Sequence, residues 1–576
     1  MANKELAHII YLISVYLEME GMPFRPAAYK KAAFSIEAME EDIDDLYRRE
    51  GNKGIENIPG VGINIAQRIE EYIKTGKISY YEELKKGMPV DLEDLLSVEG
   101  IGPKSIRDLY LYRKIKSLND LETAAKNGKL RDIPNFGLKT EINIIEAINF
   151  LKRDQGRSLI GTILPIVEMM CREMRESHIV DEITCAGSLR RMKETIGDVD
   201  LLAVSNKPEE VMDYFVSRKG VRKVWGKGKT KTSIRTADGF DIDLRVVPKK
   251  SYGSALQYFT GSKEHNIALR RIAIQNKLKL NEYGVFRGSK MLPSESETDI
   301  YRALKMAWIP PEMRENTGEI EQAIKNNLPK LVDISDIQGD LHCHSNWDGG
   351  VNSIGQMAEA GIERGYQYIG ISDHTKFLKV ENGLDEKQLM AQKNEIKRLN
   401  SGYRQKGILF TILHGCETNI LTDGRLDIKD NILEQLDYVI AGVHSQFNMP
   451  IGQMTDRIIK TMKNPHVDII SHPTGRLLKK REGYEIDFNR ILTTARETGT
   501  ILEINSSVER LDLNDKNIRR AKESGVKMII NTDSHDRRQL VGMRYGIGQA
   551  RRGWAGKEDI INTWPIEKLM AYLNRP

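Results

Sequence analysis

Cysteine is scarce in this chain: only four occur among 576 residues, and no two of them have the CxxC spacing. They are Cys171, Cys185, Cys343 and Cys416. A disulfide framework or a thiolate zinc finger needs closely spaced pairs, so both are excluded. The scarcity predicts a protein of a reducing compartment, the cytoplasm.

Long apolar runs are missing as well. The run from Ile9 to Leu17 is too short to span a bilayer, and it continues into Glu18 and Glu20. It has neither the basic start nor the cleavage site of a signal peptide. We therefore predict a core helix and no membrane partner.

Neither sign of charge predominates, because 87 basic and 82 acidic residues leave a formal net charge of +5. Such a balance neither demands nor excludes a polyanionic partner. At roughly one domain per 150 residues, the length predicts about four domains. The apolar content of 40% supports folded cores.

What the chain does contain is a sequence that predicts a phosphate-binding turn just before two carboxylates. Gly187 and Ser188 begin the turn, and Asp198 and Asp200 follow it. Side chains at i and i+2 of a strand share one face, so the two aspartates can hold divalent cations together. Asp243, in a second strand pattern, is the expected third carboxylate. An isolated Asp-x-Asp is usually a solvated turn, but this order indicates nucleotidyl transfer to RNA, to an antibiotic or to DNA.

Two segments in the first part of the chain look like helix-hairpin-helix motifs. They are Ile58–Gly62 and Val98–Gly102, each followed by a helical pattern. Glycines permit the tight turn and leave backbone N–H groups free to bond a DNA phosphate without reading bases. A weaker third copy, Ile133–Gly137, is either another hairpin or only a helix connection, because Asn135 and Phe136 replace the usual residues. The repetition predicts DNA binding.

A basic turn, Trp225–Lys231, leads into a predicted strand. Lys231 could help to steer primer or template phosphates. The turn could equally be the solvated tip of a hairpin, because basic turns are common on surfaces. Both interpretations stay open at this point.

Together with Tyr258-Phe259-Thr260-Gly261-Ser262, these features make the first 315 residues resemble the family X DNA polymerases, the group that contains DNA polymerase beta. The resemblance implies two Mg²⁺ or Mn²⁺ ions, used for an in-line displacement and held by the catalytic residues Asp198, Asp200 and Asp243. It implies a nucleotide site made by Gly187, Ser188, Arg191, Tyr258, Phe259, Gly261 and Asn266. It implies DNA contacts at Arg25, Tyr29, Gly60, Gly62, Gly100, Gly102, Lys231 and Arg270.

One position departs from the family pattern. Members with 5′-deoxyribose phosphate lyase activity carry a lysine on the helix after the first hairpin, where this chain has Arg68. A guanidinium stays protonated and does not form the Schiff base that this elimination requires. Lyase activity is therefore left without its nucleophile, unless Lys30, Lys31 or Lys74 substitutes.

The last 238 residues hold eight of the eleven histidines. Most of them stand where an apolar run ends, the place from which barrel strands present catalytic groups. Helical segments alternate with these runs, which predicts a (β/α) barrel with its site at the carboxyl ends of the strands. His342 and His344 share one strand face, and Asp533 and His535 repeat that spacing. Such mixed ligands suit zinc, manganese or iron.

This constellation resembles the PHP (polymerase and histidinol phosphatase) phosphoesterases over residues 339–576. The resemblance implies two or three Zn²⁺, Mn²⁺ or Fe²⁺ ions that activate water for phosphoester cleavage. Their ligands would form three groups: His342, His344, Glu417 and Asp533; then Glu417 again as a bridge, with His444 and His472; then Asp348, His374 and His535. His414 and His466 match no ligand position and are expected to be core residues.

The predicted fold is multidomain α/β: helical hairpin regions, an α+β nucleotidyltransferase palm and thumb, and a (β/α) PHP barrel. The expected domains are residues 1–85 and 86–152 with one strong hairpin each, the palm at 153–248, the thumb at 249–315, a linker at 316–338 and the PHP domain at 339–576. The predicted function is filling of short gaps during DNA repair, such as base excision repair, coupled to a PHP nuclease acting 3′ to 5′. The expected partners are gapped or nicked duplex DNA and dNTPs, and the expected state is a monomer.

Two alternatives stay open. In one, the PHP domain is a 3′-phosphatase or an AP endonuclease, and the polymerase half mainly holds DNA. In the other, the chain bridges DNA ends and its catalytic sites are idle. A filled carboxylate triad favours the polymerase over both.

Overall fold

The computed structural model describes residues 2–37, 39, 41–98, 100–134, 136–153 and 156–573. The chain divides into two compact units. The first comprises Met1–Gln155 with Lys479–Arg481, and the second comprises Gly156–Leu478 with Glu482–Pro576.

The first unit is helical in its described residues. Leu6, Ile10, Ile13 and Leu17 recur every three to four residues along the first helix and are fully buried, so the predicted core helix is confirmed. None of the described helices of the chain is long and apolar enough to cross a membrane. The helices of this unit are α1 (Ala2–Met19), α2 (Arg25–Glu37), α3 (Ile43–Glu56, kinked at Gly51), α4 (Ile63–Thr75), α5 (Ser79–Gly87), α6 (Leu92–Leu96), α7 (Pro103–Arg113), α8 (Leu118–Lys126) and α9 (Leu138–Arg153).

The two predicted hairpins have the same backbone geometry. Gly60 and Gly100 adopt φ of 84° and 80°, in the left-handed region that favours glycine. Gly62 and Gly102 then precede α4 and α7, so each turn opens directly into a helix N-terminus. The turn therefore favours glycine at Gly60 and Gly100, whereas Gly62 and Gly102 have extended backbone that any residue adopts.

The weaker third copy has the same hydrogen bond as the other two. The amide of Phe136 donates to the carbonyl of Ile133 at 3.0 Å, as Val61 donates to Ile58 at 2.9 Å and Ile101 to Val98 at 3.1 Å. Asn135 lies outside the described residues. The third segment therefore shares this turn hydrogen bond with the two hairpins in spite of its different residues.

The second unit begins with an α+β palm around a five-stranded sheet of order β2-β4-β7-β6-β5. The central strands β4 and β7 run parallel, and their register pairs Asp198 with Asp241 and Asp200 with Asp243. Residues between these aspartates, such as Val199 and Ile242, are fully buried. The palm elements are β1 (Ser158–Leu159), α10 (Ile160–Glu176), β2 (Glu182–Cys185), α11 (Gly187–Arg190), β3 (Thr195–Ile196), β4 (Asp198–Val204), α12 (Pro208–Ser217), β5 (Val221–Lys227), β6 (Lys231–Thr236) and β7 (Asp241–Val247).

The thumb follows the palm directly in the chain, because its first helix begins five residues after β7 ends. A small antiparallel sheet of order β10-β9-β8 packs with helices around Leu269, Val285 and Tyr301. Ile320 and Ala323, from the segment predicted as a linker, are buried in the same core. The elements are α13 (Tyr252–Thr260), α14 (Lys263–Gln275), β8 (Lys279–Asn281), β9 (Gly284–Arg287), β10 (Lys290–Met291), α15 (Glu297–Ala303) and α16 (Glu319–Ile324).

The remainder is a parallel (β/α) barrel, as predicted. Strands β11-β12-β13 and β14 to β18 form two parallel sheets. Parallel bridges between Cys343 and Ser534, and between His374 and Glu417, connect the two sheets into one wall. The elements are β11 (Gly339–Cys343), α17 (Ile354–Glu363), β12 (Tyr368–Ile371), α18 (Glu386–Gln405), β13 (Thr411–His414), β14 (Glu417–Asn419), α19 (Asp430–Leu433), β15 (Ile440–Gly442), α20 (Ile451–Met462), β16 (Ile469–Ile470), α21 (Phe488–Thr498), β17 (Ile501–Asn505), α22 (Asp515–Glu523), β18 (Met528–Asn531), α23 (Met543–Arg552) and α24 (Ile566–Leu573).

Candidate active sites

A cavity of about 770 Å³ lies between palm and thumb. The palm contributes the turn after β2 and the start of β4, and the thumb contributes the end of α13 and one face of α14. Most predicted nucleotide and catalytic residues therefore meet in one space. Those that line it are Gly187, Ser188, Arg191, Asp198, Asp200, Tyr258, Phe259, Gly261, Asn266 and Arg270.

The three predicted catalytic carboxylates lie on adjacent parallel strands. Asp198 and Asp200 begin β4, and Asp243 stands beside Asp200 on β7. Burial, together with the charges of Asp198 and Asp243, raises the pKa of Asp200 to about 6. Lys231 Nζ lies 3.1 Å from Asp243 Oδ2 and offsets part of this charge. Because like charges held this close repel, the trio fits divalent cations, which would relieve that repulsion.

Gly187 lets the turn after β2 approach the carboxylates closely. Its φ is 62°, and a Cβ built at this position would lie 2.6 Å from Asp200 Oδ2. Any other residue would strain the backbone and collide with the carboxylate. Ser188, on the first turn of α11, is thereby kept beside the aspartates.

The thumb wall of the cavity is aromatic and basic. Tyr258 and Phe259 meet edge to face with ring centroids 5.1 Å apart. The guanidinium of Arg270 lies 5.2 Å from the Tyr258 ring, and Asn266 donates to the Tyr258 carbonyl at 2.7 Å. These contacts fix the side chains that would face a base and sugar.

Three further cations of the cavity were not predicted from the sequence. Arg157, Lys193 and Lys263 join Arg191 and Arg270 on its wall. An isolated lysine or arginine carries no sequence motif, so only the fold could bring them here. Together they place five cationic side chains on the cavity wall, a lining that suits an anionic ligand.

Next to the predicted DNA contacts Arg25 and Tyr29 lie a second guanidinium, of Arg68, and a second tyrosine ring, of Tyr80. The guanidinium of Arg68 lies 3.8 Å from the Tyr80 ring and 5.4 Å from the Tyr29 ring. Burial and the nearby charge of Arg25 lower the pKa of Arg68. The pair of cations beside buried Tyr29 suits a phosphate.

Lys74 does not offer a free amine in place of Arg68. Its Nζ donates to Glu70 at 2.5 Å, and this hydrogen bond raises the pKa of Lys74. A raised pKa keeps the amine protonated and non-nucleophilic. The structure therefore gives the suggested lyase substitute no support at this position.

The basic turn forms the tip of the β5–β6 hairpin, and its lysines are paired with acidic groups. Lys227 pairs with Asp213, and Lys229 lies 3.1 Å from Glu209. These pairs are exposed and would be weakened by salt. Whether Lys231 contacts DNA stays a prediction.

The nine predicted metal ligands converge on the carboxyl ends of the barrel strands, around Glu417. Its Oε2 lies 3.2 Å from His342 Nε2 and 3.0 Å from His374 Nδ1. Its Oε1 lies 3.3 Å from His444 Nε2 and 3.0 Å from His472 Nε2. Although burial favours the neutral acid, His342, His444 and His374 hold the pKa of Glu417 well below its ordinary value.

Asp533 and His535 complete the cluster from the strand that closes the barrel. Asp533 Oδ1 lies 3.5 Å from His342 Nε2 and 3.3 Å from His344 Nε2. His535 stacks on His344 with ring centroids 4.0 Å apart. Asp348 Oδ2 accepts from His344 Nδ1 at 2.8 Å and from the His374 amide at 2.9 Å.

Several buried atoms of this cluster have no hydrogen-bond partner among the described residues. They face one another instead, at distances suited to shared cations, and such unpartnered atoms would each cost about 1–3 kcal/mol. The donor set therefore fits metal ions. The atoms are His342 Nε2, His344 Nε2, His374 Nδ1, Glu417 Oε2 and His444 Nε2.

The geometry groups the ligands somewhat differently from the predicted sets. The ligand atom of His374 lies close enough to share a metal ion with Glu417 and His444, and also with His344 and His535. His344 also lies with Asp348 and Asp373, a carboxylate that the sequence reasoning missed. Because His344 and His374 each belong to more than one of these groups, the ligands form one continuous cluster rather than separate sites.

Supporting residues around the cluster were also missed. Glu503 Oε1 lies 2.7 Å from His342 Nδ1, and Asn419 Oδ1 lies 2.8 Å from His444 Nδ1, so each orients an imidazole. Arg510, partly exposed, lies 3.6 Å from Asp533 and offers a cation to an anionic substrate. Strand β17 is buried at every position, so no alternation of apolar and polar residues marks Glu503 in the sequence.

The two histidines set aside as core residues differ. His414 is buried, and its Nε2 lies 3.2 Å from Gln392 Oε1. Burial lowers the pKa of His414 to about 3, so it is neutral in the folded protein. His466 is only partly buried, so the core interpretation holds for His414 alone.

Comparison with protein-family models identifies four regions. Residues 1–78 match a helix-hairpin-helix domain, and residues 92–149 match a SAM-like helix-hairpin-helix tandem, which covers the second and third hairpins. Residues 255–315 match the DNA polymerase beta thumb, and residues 340–507 match the PHP domain.

Curated relatives fall into two kinds. The DNA polymerase/3′-5′ exonuclease PolX of Bacillus subtilis is 36% identical over 580 residues, which is 100% of both chains. A probable phosphatase of Thermoanaerobacter is 33% identical over 172 residues, or 28% of this chain and 67% of the relative. One of Clostridium acetobutylicum is 32% identical over 210 residues, or 34% of this chain and 78% of the relative. Because the first similarity spans both chains completely, this chain belongs to the PolX family, the family X DNA polymerases that carry helix-hairpin-helix regions and a C-terminal PHP domain.

Proposed function

We propose that the protein is a DNA-directed DNA polymerase that fills short gaps during DNA repair, and that its PHP domain is a 3′-5′ exonuclease that trims the same strand. The observation that carries the polymerase assignment is the carboxylate trio beside a cavity with an aromatic and basic thumb wall. Cleaving a 3′ end and extending it are complementary steps, and one chain supplies each site with the other's product at high effective concentration.

In the polymerase site, Asp198, Asp200 and Asp243 would hold two Mg²⁺ or Mn²⁺ ions. Bound there, the ions would supply Lewis-acid stabilisation of the primer oxygen and the leaving phosphates. Ser188, Arg191 and the backbone at Gly187 bind the triphosphate. No side-chain nucleophile is required.

The thumb side chains position the incoming nucleotide against the template. Tyr258 and Phe259 pack beside the sugar, with Gly261 at the end of their helix. Asn266 and Arg270 face the nascent base pair. We keep the predicted palm at 153–248 and the thumb at 249–315 as proposed limits, and Ile320 and Ala323 of the predicted linker add to the thumb core.

The first unit holds gapped or nicked duplex DNA mainly by its backbone. The amides after Gly60, Gly62, Gly100 and Gly102 bond phosphates at helix N-termini. Arg25 and Tyr29, with Arg68, bind the 5′-phosphate on the far side of a gap without lyase chemistry. Binding should fall steeply with salt and vary little with base sequence.

In the barrel, the nine ligands would hold two or three Zn²⁺, Mn²⁺ or Fe²⁺ ions, which when bound would activate water and stabilise charge on the phosphorus centre. The surrounding protein orients these ligands through Glu503 and Asn419. Arg510 holds the scissile phosphate at the mouth. The same chemistry supports a second candidate, a 3′-phosphatase, because relatives of the barrel carry the name probable phosphatase.

We propose a cytoplasmic monomer that uses dNTPs. The cytoplasm suits a chain whose four cysteines, all within the described residues, are free. Each active site is formed by residues of a single chain. Light scattering of the purified protein with and without gapped DNA tests the oligomeric state.

The deciding experiment compares variants on a labelled gapped primer-template, with and without dNTPs. Asp243→Ala should lose extension and keep degradation, whereas the double variant His342→Ala/His344→Ala should do the reverse. Asp241→Ala, on the same strand face but paired with Arg235 at 3.2 Å, is the matched control and should keep extension. Full extension by Asp243→Ala would refute the polymerase assignment.

The same assay separates the nuclease from the phosphatase. A primer with a 5′ label should shorten stepwise if the barrel is a 3′-5′ exonuclease. A primer that ends in a 3′-phosphate should release inorganic phosphate without shortening if it is a phosphatase. Equal loss of both activities in every variant would contradict the assignment of one activity to each site.

A further inference from the structure

A helix of the PHP domain packs directly against the nucleotide-binding turn of the palm. Gln549 Nε2, on α23, donates to the carbonyl of Met192 at 2.9 Å. Arg552 Nη1, at the end of α23, donates to the carbonyl of Arg191 at 2.8 Å. Gly548 lies so close that a Cβ there would fall 2.7 Å from Met192 Cε. The turn after Ser188 is therefore supported from the barrel.

The backbone of this turn needs such support. Met192 has φ of 53°, a left-handed conformation that residues other than glycine rarely adopt. A residue of this kind persists when surrounding contacts over-determine it. The two carbonyls that α23 bonds belong to Met192 itself and to the residue before it.

Arg552 also completes an ion cluster around Glu315. Glu315 Oε1 accepts from Arg191 Nε at 3.0 Å and from Arg552 Nη1 at 3.0 Å, and it lies 3.3 Å from Lys193 Nζ. Arg552 pairs with Asp515 as well, and its side chain is 2% exposed. Although burial favours the neutral acid, Arg191, Arg552 and Lys193 hold the pKa of Glu315 below its ordinary value, so it is charged.

The net charge of this cluster determines how strongly the cavity attracts a triphosphate. Arg191, Lys193 and Arg552 contribute three positive charges, and Glu315 and Asp515 contribute two negative ones, which leaves a net charge of +1. Without Arg552 the count is zero. Glu315 would then be shared by only the two cations that line the nucleotide cavity, and their attraction for phosphate would fall.

We infer that Arg552, a residue of the PHP domain, is a positioning residue of the polymerase: it engages Glu315 and the Arg191 carbonyl so that Arg191 and Lys193 stay available to the triphosphate of the incoming dNTP. This inference rests on the proposed role of Arg191 in nucleotide binding. It gives the barrel a part in polymerisation that does not involve its metal cluster.

Single-turnover gap filling measures the effect, because it separates the apparent Kd for dNTP from the rate of incorporation. Arg552→Ala should raise the Kd by about tenfold, change the incorporation rate less, and leave degradation of the primer unchanged. Arg551→Ala is the matched control on the same helix, since Arg551 bonds Glu312 and the Val332 carbonyl and does not contact the turn. It should leave the Kd within twofold.

A double variant tests whether the effect passes through Glu315. Glu315→Gln/Arg552→Ala restores the net charge of +1 and should recover the wild-type Kd to within threefold. Glu315→Gln alone should bind dNTP at least as tightly as the wild type. A double variant no better than Arg552→Ala would overturn the inference, because it would mean that Arg552 only supports packing.

The outcomes separate this inference from the proposed function. If the wild type fails to extend a primer, the proposed function fails. If the wild type extends and Arg552→Ala keeps its Kd, only the inference fails. If Arg552→Ala also loses degradation of the primer, the variant has not folded, and Arg552→Lys is used instead. Arg552→Lys keeps the positive charge, so its Kd for dNTP should stay within threefold of the wild-type Kd. A tenfold higher Kd would refute the explanation by charge.

Discussion

Glu297 links the turn that we propose to bind the nucleotide to the thumb, and replacing Glu297 by glutamine should strongly destabilise this link. The carboxylate accepts from Nη1 and Nη2 of Arg190 at 2.8 and 2.9 Å, from Arg314 Nη1 at 2.5 Å and from Trp308 Nε1 at 3.2 Å. Arg314 is fully buried. Arg190 also donates to Thr260 Oγ1 at 2.7 Å, which links the turn to the end of α13.

The magnitude follows from these contacts. Glutamine has almost the same shape as glutamate but no charge, and its NH₂ group would face N–H donors that now bond a carboxylate oxygen. Removing one partner of a buried ion pair costs about 3–5 kcal/mol, most of it from the charge left behind. We therefore expect the free energy of local opening to fall by about 4 kcal/mol, which is roughly a thousandfold in an equilibrium constant.

Hydrogen exchange of backbone amides in α13 and α15, followed by mass spectrometry, measures this opening. Glu210→Gln is the matched control, because Glu210 pairs with Lys207 at 3.2 Å on an exposed surface and its loss should cost less than about 1 kcal/mol. Glu297→Gln should also weaken dNTP binding, because Glu297 holds Arg190, the neighbour of Arg191, which we propose binds the triphosphate. Exchange no faster than in the control would refute the view that the buried charges anchor the turn.

Three further predictions concern the polymerase site, the buried His414 and the metals. Gly187→Ala should abolish extension in the gapped-primer assay, because its Cβ would meet Asp200, whereas Gly239→Ala, with φ of 87° and open space around it, should only lower the melting temperature. The pKa of His414 is about 3 when folded and 6.5 when unfolded, so the unfolded state binds more protons between these values and stability falls as pH drops below 6.5. Between pH 7 and about pH 4.5, the free energy of unfolding measured with urea should therefore fall by about 3 kcal/mol less in His414→Gln than in the wild type. Plots of this free energy against pH that run parallel for the two proteins would contradict the prediction. A chelator should stop extension and degradation, and added Mg²⁺ should restore extension; activity that survives chelation would argue against metal dependence.

Much of the polymerase site could be predicted because its key residues are close in sequence. Asp198 and Asp200 are two residues apart on one strand, and Gly187 and Ser188 precede that strand, separated from it only by the rest of α11 and by β3. Strand geometry alone then places both carboxylates on one face. Lys193, Lys263 and Arg157 could not be predicted, since separate elements bring them to the cavity.

The barrel ligands were predictable for a related reason. In a parallel barrel every strand presents its carboxyl end at one mouth, so His342, Glu417, His444 and Asp533 had to meet once the strands were recognised. Asp373 and Glu503 were missed because a buried carboxylate has no signature until its partners are known. Which histidine shares which cation site is likewise decided by side-chain geometry.

By itself, the sequence determined the classes of element, the hairpin turns and the residues with the chemistry of nucleotidyl transfer and metal binding, because these depend on local spacing and on the conformational freedom of glycine. Only the tertiary structure decided how distant charges are balanced: Glu297 between Arg190 and Arg314, and Glu315 between Arg191 and Arg552. Pairing of buried charges depends on distance in space, and partners such as Arg190 and Glu297, 107 positions apart, or Arg191 and Glu315, 124 apart, come together only when the chain has folded.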